Sequence, residues 1–345
     1  MNMPRNRILL GDARNILPTL PSGSVDCVIT SPPYFALRNY QTANQIGLEP
    51  SVDDWVAQLR TIVRELGRVL APHGSLWLNL GDTYSREPRT GAAPKSLLLG
   101  PERLALAMVD DGWTIRNKII WAKTNPMPTS VRDRLACSWE VIYFAVRSRD
   151  YFFDLDAIRV PHRSSLREPS RAALRRAARS TTRPAWSGPL AGSNIGLDKL
   201  KACGLVGHAL GKNPGDIWTM ATSSHRGMHH AMFPERLIDR PLLGTCPERV
   251  CTDCGQPWRR ERTRQLGHLA VVGELRPTCR CGVQWRRGFV LDPFMGAGTV
   301  AVVAEKCERD WVGIEINREF VALAEQRIGA ERQKRGDEGT AADAA

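Results

Sequence analysis

FVLDPFMGAGTVAVVAEKCERDWVGIEIN, residues 289–317, reads as strand, glycine turn, helix and strand in direct succession. The first apolar run ends at Asp292, small residues follow at Gly296 and Gly298, and the second run closes at Glu315. Without a Cβ at 296 and 298, the backbone can approach a nucleotide-like ligand closely. Glu315 stands 23 positions after Asp292, where an acidic side chain at a strand end can hydrogen-bond ribose hydroxyls. Asp292 is a candidate for a ligand's ammonium group or for an ordering hydrogen bond, and Thr299 for its carboxylate. Position 301 is Ala, so the full G-x-G-x-x-G is absent, and a dinucleotide site is the rival reading.

Outward from this stretch the chain keeps alternating. Arg7–Asp12, VDCVIT (25–30), SLWLNLGD (75–82), 114–122 and 139–146 read as strands. Ser51 opens a helix with Asp54 at the capping-box position, and Trp55, Leu59, Ile62, Val63 and Leu66 make its apolar face. Helices are also predicted at 101–111 and 317–328. The alternation predicts an α/β fold with a mostly parallel sheet covered on both faces. From 155 to 232 the sequence turns rich in Arg, Ser, Gly and Pro, which marks an insertion.

Thr30-Ser31-Pro32-Pro33-Tyr34 ends a buried strand with consecutive prolines, which lack N–H donors but keep their carbonyls as acceptors. A primary amine on a base offers two N–H donors. A serine hydroxyl and a proline carbonyl accept both, which draws the nitrogen lone pair out of conjugation toward an electrophile. Tyr34 can stack on a base flipped from the duplex.

The two motifs together resemble the amino-methylating DNA methyltransferases, the N4-cytosine/N6-adenine family, over roughly 5–150 and 212–328. DPFMGAGT, with Phe294, looks like that family's S-adenosylmethionine loop and TSPPY like its catalytic loop, in the permuted beta order. The resemblance implies a Rossmann-like S-adenosylmethionine-dependent methyltransferase fold acting on duplex DNA. Together with the cysteine spacing and the shifts in composition, it divides the chain into a catalytic half (1–154), a target-recognition insertion (155–232), a cofactor-side connection (233–245), a zinc-ribbon insertion (246–288), a cofactor-binding half (289–330) and, from its Ala/Gly/Asp composition, a disordered tail (331–345). Asp12 resembles the family's acidic residue near the cofactor adenine. Phe233, in Phe-Pro-Glu, resembles the segment that borders the methionine moiety.

Serine at the first catalytic position is typical of cytosine-N4 members, although some with Ser act on adenine; cytosine N4 is favoured and adenine N6 stays open. The amine attacks the sulfonium methyl directly, so no protein nucleophile is required, and no Pro-Cys dipeptide of the cytosine-C5 type occurs. A noncatalytic DNA-binding protein and an RNA or protein amino-methyltransferase are the competing classes. A cognate restriction endonuclease is the partner of half of a restriction–modification pair, whereas a solitary enzyme has none; the residues suit both, and they leave the oligomeric state open.

Cys251-x-x-Cys254 and Cys279-x-Cys281 supply four thiolates in two close pairs, suited to a tetrahedral structural zinc, with Cys246 as an alternative ligand and a set of unliganded thiols as the other reading. Cys27 is predicted to be core. Arg159, Arg163, Arg167, Arg171, Arg175, Arg179 and Arg183 recur every fourth position and, if helical, form a stripe for DNA phosphates; a basic loop is the alternative. Trp186, His208, Lys212, Asn213, Trp218, His225 and His229 fall in the recognition region. The net charge of +12 points to a polyanionic partner. The absence of an apolar membrane span or apolar signal segment predicts a cytoplasmic protein.

Overall fold

The structure, a computed structural model, describes residues 3–40, 42, 44–161, 210–223, 233–265 and 268–342. In chain order the elements are β1 (Arg7–Leu10), α1 (Ala13–Ile16), β2 (Val25–Thr30), α2 (Val52–Val69), β3 (Leu70–Leu80), α3 (Gly100–Asp110), β4 (Thr114–Lys123) and β5 (Trp139–Val146). They continue with β6 (Ile217–Met220), α4 (Glu235–Thr245), β7 (Arg249–Cys251), β8 (Arg259–Gln265), β9 (His268–Arg276) and β10 (Trp285–Arg287). The last are β11 (Phe289–Asp292), α5 (Thr299–Lys306), β12 (Asp310–Glu315) and α6 (Arg318–Ala342).

Eight strands form one sheet in the order β1-β12-β11-β2-β3-β5-β4-β6. Only β5 runs antiparallel to its neighbours; the other pairings are parallel. Side chains alternate across the sheet and feed two cores. Leu76, Leu78, Val141, Tyr143, Phe289 and Leu291 pack under Trp55, Leu59 and Leu66 of α2 and Leu104 of α3. On the other face Trp77, Ile142, Phe144 and Val290 meet Leu237 of α4, Val300 of α5 and Ile328 of α6. The result is the predicted α/β layering. The strand order sets the crevice: β11–α5–β12 leads one way from the centre and β2–α2–β3 the other, so adjacent β11 and β2 form a topological switch point, with an opening at their carboxyl ends.

The capping box at α2 is present: Ser51 Oγ accepts the Asp54 N–H at 3.2 Å and donates to its carboxylate at 2.6 Å. A buried charge ties β10 to β2. Asp26, fully buried, accepts both Arg286 guanidinium nitrogens (2.5 and 3.0 Å) and the Phe289 N–H (2.8 Å), with His73 Nε2 at 2.8 Å.

Several expectations change. β3 begins at Leu70 rather than 75, and its register against β2 jumps from Leu70 to Ser75 around Gly74, so the predicted break is a bulge within the strand. The chain forms two compact units, Met1–Asp154 with Gly215–Trp258 and Pro277–Ala345, and Leu155–Pro214 with Arg259–Arg276. Of the span expected as an insertion, residues 215–223 fold with the first unit: β6 is the sheet edge, and Trp218 is buried beside Trp77 with ring centroids 6.2 Å apart. Within the span expected as a single zinc ribbon, the β8–β9 hairpin joins the second unit. There, too, Val160 and Lys212 exchange backbone hydrogen bonds of 3.0 and 2.9 Å. The tail predicted to be disordered from 331 is helical through Ala342, because Arg332 and Arg335 find Glu305 at 2.9 Å and Glu308 at 3.0 Å. The arginines from 163 to 183, with Trp186, His208, His225 and His229, lie outside the described residues. Among the described residues no helix is long and apolar enough to cross a membrane.

Candidate active site

At the carboxyl ends of β1, β12, β11 and β2 lies a cavity of about 540 Å³, a size suited to a nucleoside-like ligand. It gathers Asp12, Ser31, Pro33, Phe294, Gly296 and Glu315 from four separate stretches of sequence. Gly298, at φ 76°, turns the chain into α5, and a Cβ there would come within 2.9 Å of the Ala324 Cβ. Glu315 is buried; its carboxylate oxygens accept the N–H groups of Gly296 (2.7 Å) and Asn317 (2.8 Å). Burial raises its pKa despite these bonds. Burial likewise opposes charge on Asp12, but the Arg14 guanidinium at 2.6 Å outweighs it and holds that carboxyl below its ordinary range. Asp12 also caps α1 through the Arg14 N–H.

Other predicted residues stand behind the cavity wall. Asp292 accepts the Thr30 hydroxyl (2.7 Å) and the Phe294 N–H (3.1 Å), so it orders the junction of β11 and β2; burial pushes its pKa up to about 7. Thr299 is buried at the start of α5, with its hydroxyl 3.2 Å from Arg327 Nη1. Phe233 borders a small depression of about 10 Å³ beside Thr30 and Asn79. Pro32, Tyr34, Asp292, Gly298, Thr299 and Phe233 are therefore not brought into the wall of this cavity.

The proline turn is held from two sides. Trp55 Nε1 donates to the Pro33 carbonyl at 2.9 Å, fixing the turn to α2. The Tyr34 ring lies over Gly81, where a Cβ would be 2.7 Å from its Cε2, and the Tyr34 hydroxyl reaches Ser31 Oγ at 3.1 Å. The hydroxyl donates to Glu140 Oε2 at 2.7 Å, and Lys123 pairs with the other carboxylate oxygen. Asn79 Nδ2 donates to Tyr34 Oη (2.7 Å) and Glu140 (2.8 Å). Burial, then the Glu140 charge, raise the Tyr34 pKa well above the ordinary tyrosine value, so its proton stays on.

This geometry has known counterparts. The DNA methylase family model, that of N6/N4 methyltransferases, matches residues 25–326. The chain belongs to the DNA methylase family. The Type II methyltransferase M.SmaI of Serratia marcescens is 31% identical over 348 residues, covering 95% of this chain and 92% of its own. Among solved structures, the PvuII DNA methyltransferase (cytosine-N4-specific) superposes with TM-score 0.56 at 16% identity, covering 94% of this chain and 87% of that one. A putative DNA modification methylase from Thermus thermophilus, complexed with S-adenosyl-L-methionine, gives TM-score 0.52 at 19% identity, with 94% and 93% covered. The fold is thus the Rossmann-like methyltransferase fold expected from the two motifs.

Away from the cavity, the Sγ atoms of Cys251, Cys254, Cys279 and Cys281 all lie within 4.8 Å of one another. Cys246 is not among them: it is buried in the core, where burial drives its thiol well up. Cys27 is core as predicted, its thiol pushed by burial to about 12.

Sequence reasoning missed two groups. Tyr40 and Phe320 both line the cavity, edge to face with ring centroids 6.0 Å apart, yet 280 positions separate them. Asn79, Lys123 and Glu140 converge on the proline turn from three strands; a polar Asn inside the apolar SLWLNL run was the one local sign.

Proposed function

We propose that the chain transfers a methyl group to the N4 amine of cytosine in duplex DNA. The observation that carries this reading is Ser31, which stands on the cavity wall at the end of β2 beside the glycine turn of β11. S-adenosylmethionine supplies an electrophilic sulfonium methyl when bound. Glu315 is placed for its ribose hydroxyls, Asp12 and the Tyr40–Phe320 pair for its adenine, and the Gly296 backbone for close approach. Phe233, Asp292 and Thr299 then act from behind, by holding β11, β2 and α5 in place. A flipped cytosine presents its amine to Ser31 Oγ on the cavity wall. Reaching the Pro32 carbonyl and the Tyr34 ring requires the base to enter past that wall, since both stand outside the lining. Accepting both N–H groups leaves the nitrogen lone pair for in-line attack on the methyl group: the N–C bond would form as the S–C bond breaks, with S-adenosylhomocysteine as leaving group and one amine proton lost to solvent. Serine at the head of the turn supports cytosine over adenine, and a cytosine-N4-specific enzyme shares the fold.

The Type II names of the relatives support a restriction–modification role, in which a cognate endonuclease cuts the same sequence when it is unmethylated. Residues 155–214 and the β8–β9 hairpin are our candidates for target recognition.

The four thiols suit a structural zinc ion. A tetrahedral ZnS4 centre with Zn–S bonds near 2.3 Å requires S···S separations of roughly 3.8 Å, within the observed cluster. Four cysteines close the coordination shell and leave no open position for water. Elemental analysis is expected to give one zinc per chain, falling when Cys254→Ser and Cys281→Ser are combined; a metal-free, fully folded wild-type protein would refute the assignment.

The decisive test is nucleoside mass spectrometry of unmethylated DNA incubated with the chain and labelled S-adenosylmethionine. Labelled N4-methylcytosine is the expected product, lost in Ser31→Ala. Labelled N6-methyladenine would move the target to adenine.

A further inference from the structure

The hydrogen bonds behind the proline turn have a determined direction. Glu140, beside Lys123, is an acceptor only, so the Tyr34 hydroxyl spends its one proton on Oε2 at 2.7 Å. Asn79 Nδ2 has two hydrogens, and its short contacts are Tyr34 Oη at 2.7 Å and Glu140 at 2.8 Å. Tyr34 Oη therefore has no proton left to give Ser31. The 3.1 Å contact between them must run from Ser31 Oγ to Tyr34 Oη. Ser31 has a single proton, which is now directed inward. Asn79 Nδ2 stands 3.4 Å from Ser31 Oγ with both of its hydrogens already directed to Tyr34 and Glu140, and Ser31 alone of these five residues lines the cavity.

We propose that Glu140, acting through Tyr34, is a positioning residue that makes the Ser31 hydroxyl face the cavity purely as an acceptor. The site thereby selects a base carrying an amine over one carrying a carbonyl at the same position. This rests on the proposed base methylation. A carbonyl oxygen opposite Ser31 would bring acceptor against acceptor, and both would stay unpaired wherever the bound base itself excludes water. An amine finds its hydrogen-bond acceptor already oriented, with no hydroxyl rotation required.

The test compares wild type, Glu140→Gln, Tyr34→Phe and the double variant, using the full chain and labelled S-adenosylmethionine on DNA whose methylated site has been mapped with wild type. A glutamine amide can donate or accept, so it no longer dictates the proton order. Each single variant is expected to lower kcat at least 10-fold while the S-adenosylmethionine Kd stays within about 2-fold, and the double variant to be no worse than either single one. In parallel, binding is measured to duplexes with the target base or its carbonyl counterpart, uracil for cytosine or hypoxanthine for adenine. Wild type should prefer the amine, and Glu140→Gln should lose that preference.

Wild-type kcat in Glu140→Gln, losses that multiply in the double variant, or an unchanged base preference would overturn the proposal. Should Glu140→Gln fail to fold, Tyr34→Phe keeps the Lys123–Glu140 pair and carries the test alone through its kcat and base preference. Wild type that binds S-adenosylmethionine but methylates no DNA would instead overturn the underlying function.

Discussion

At Asp292 the consequence of burial is a pH-dependent stability. Its carboxyl titrates near 7 in the folded chain against an ordinary value of 3.8. Between those values the folded state holds a proton that the unfolded state has released, so this residue's contribution to stability falls as pH rises through that window. Both of its hydrogen bonds land on Oδ1, and an asparagine oxygen can accept both. Asp292→Asn is therefore expected to gain stability relative to wild type from pH 5 to 8, read from urea denaturation midpoints; parallel pH profiles would contradict the shift. At Glu315 the expectation concerns binding. Glu315→Ala should weaken S-adenosylmethionine about 10- to 100-fold by calorimetry, the size of one or two charge-assisted hydrogen bonds. Affinity equal to wild type would remove it from the ribose site.

On the scale of elements, the site depends on strands being held in register from outside it. Arg286 on β10 and Asp26 form a bidentate pair at the amino end of β2, the opposite end from the proline turn. Asp26 is fully buried, and although burial opposes its charge, His73 and Arg286 hold its carboxyl below the ordinary range. Removing Arg286 leaves that charge without its main counter-ion. Arg286→Ala is expected to cost about 3–5 kcal/mol of unfolding free energy; a loss under about 1 kcal/mol would mean that water reaches Asp26. The same logic explains α6. Its composition past 331 suggested disorder, yet arginines one turn apart reach the acids at the end of α5, and the helix continues.

For the whole molecule, the excess of 12 positive charges is a prediction about DNA affinity. Each neutralised phosphate contributes roughly −0.9 to the slope of log K against log salt. Fluorescence anisotropy between 50 and 200 mM salt should show at least a 10-fold loss of duplex binding. A flat profile would argue that the basic residues do not face phosphates.

Much of this architecture was legible beforehand because its cues are local. Strand-closing Asp292 and Glu315, the glycines between them, the capped helix from Ser51 and the proline turn all declare themselves within short windows, where periodicity and turn chemistry act. The paired cysteines did the same. The sequence by itself determined the α/β class, the glycine and proline turns proposed as the site, and the thiol set. Only the tertiary structure decided that Tyr40 meets Phe320, that Asn79, Lys123 and Glu140 stand behind Ser31, that Trp218 is core, and that Asp292 and Thr299 sit behind the cavity wall rather than on it. Those outcomes depend on the order of strands in the sheet and on which face each side chain takes, and contacts between distant segments leave no period in the sequence that forms them.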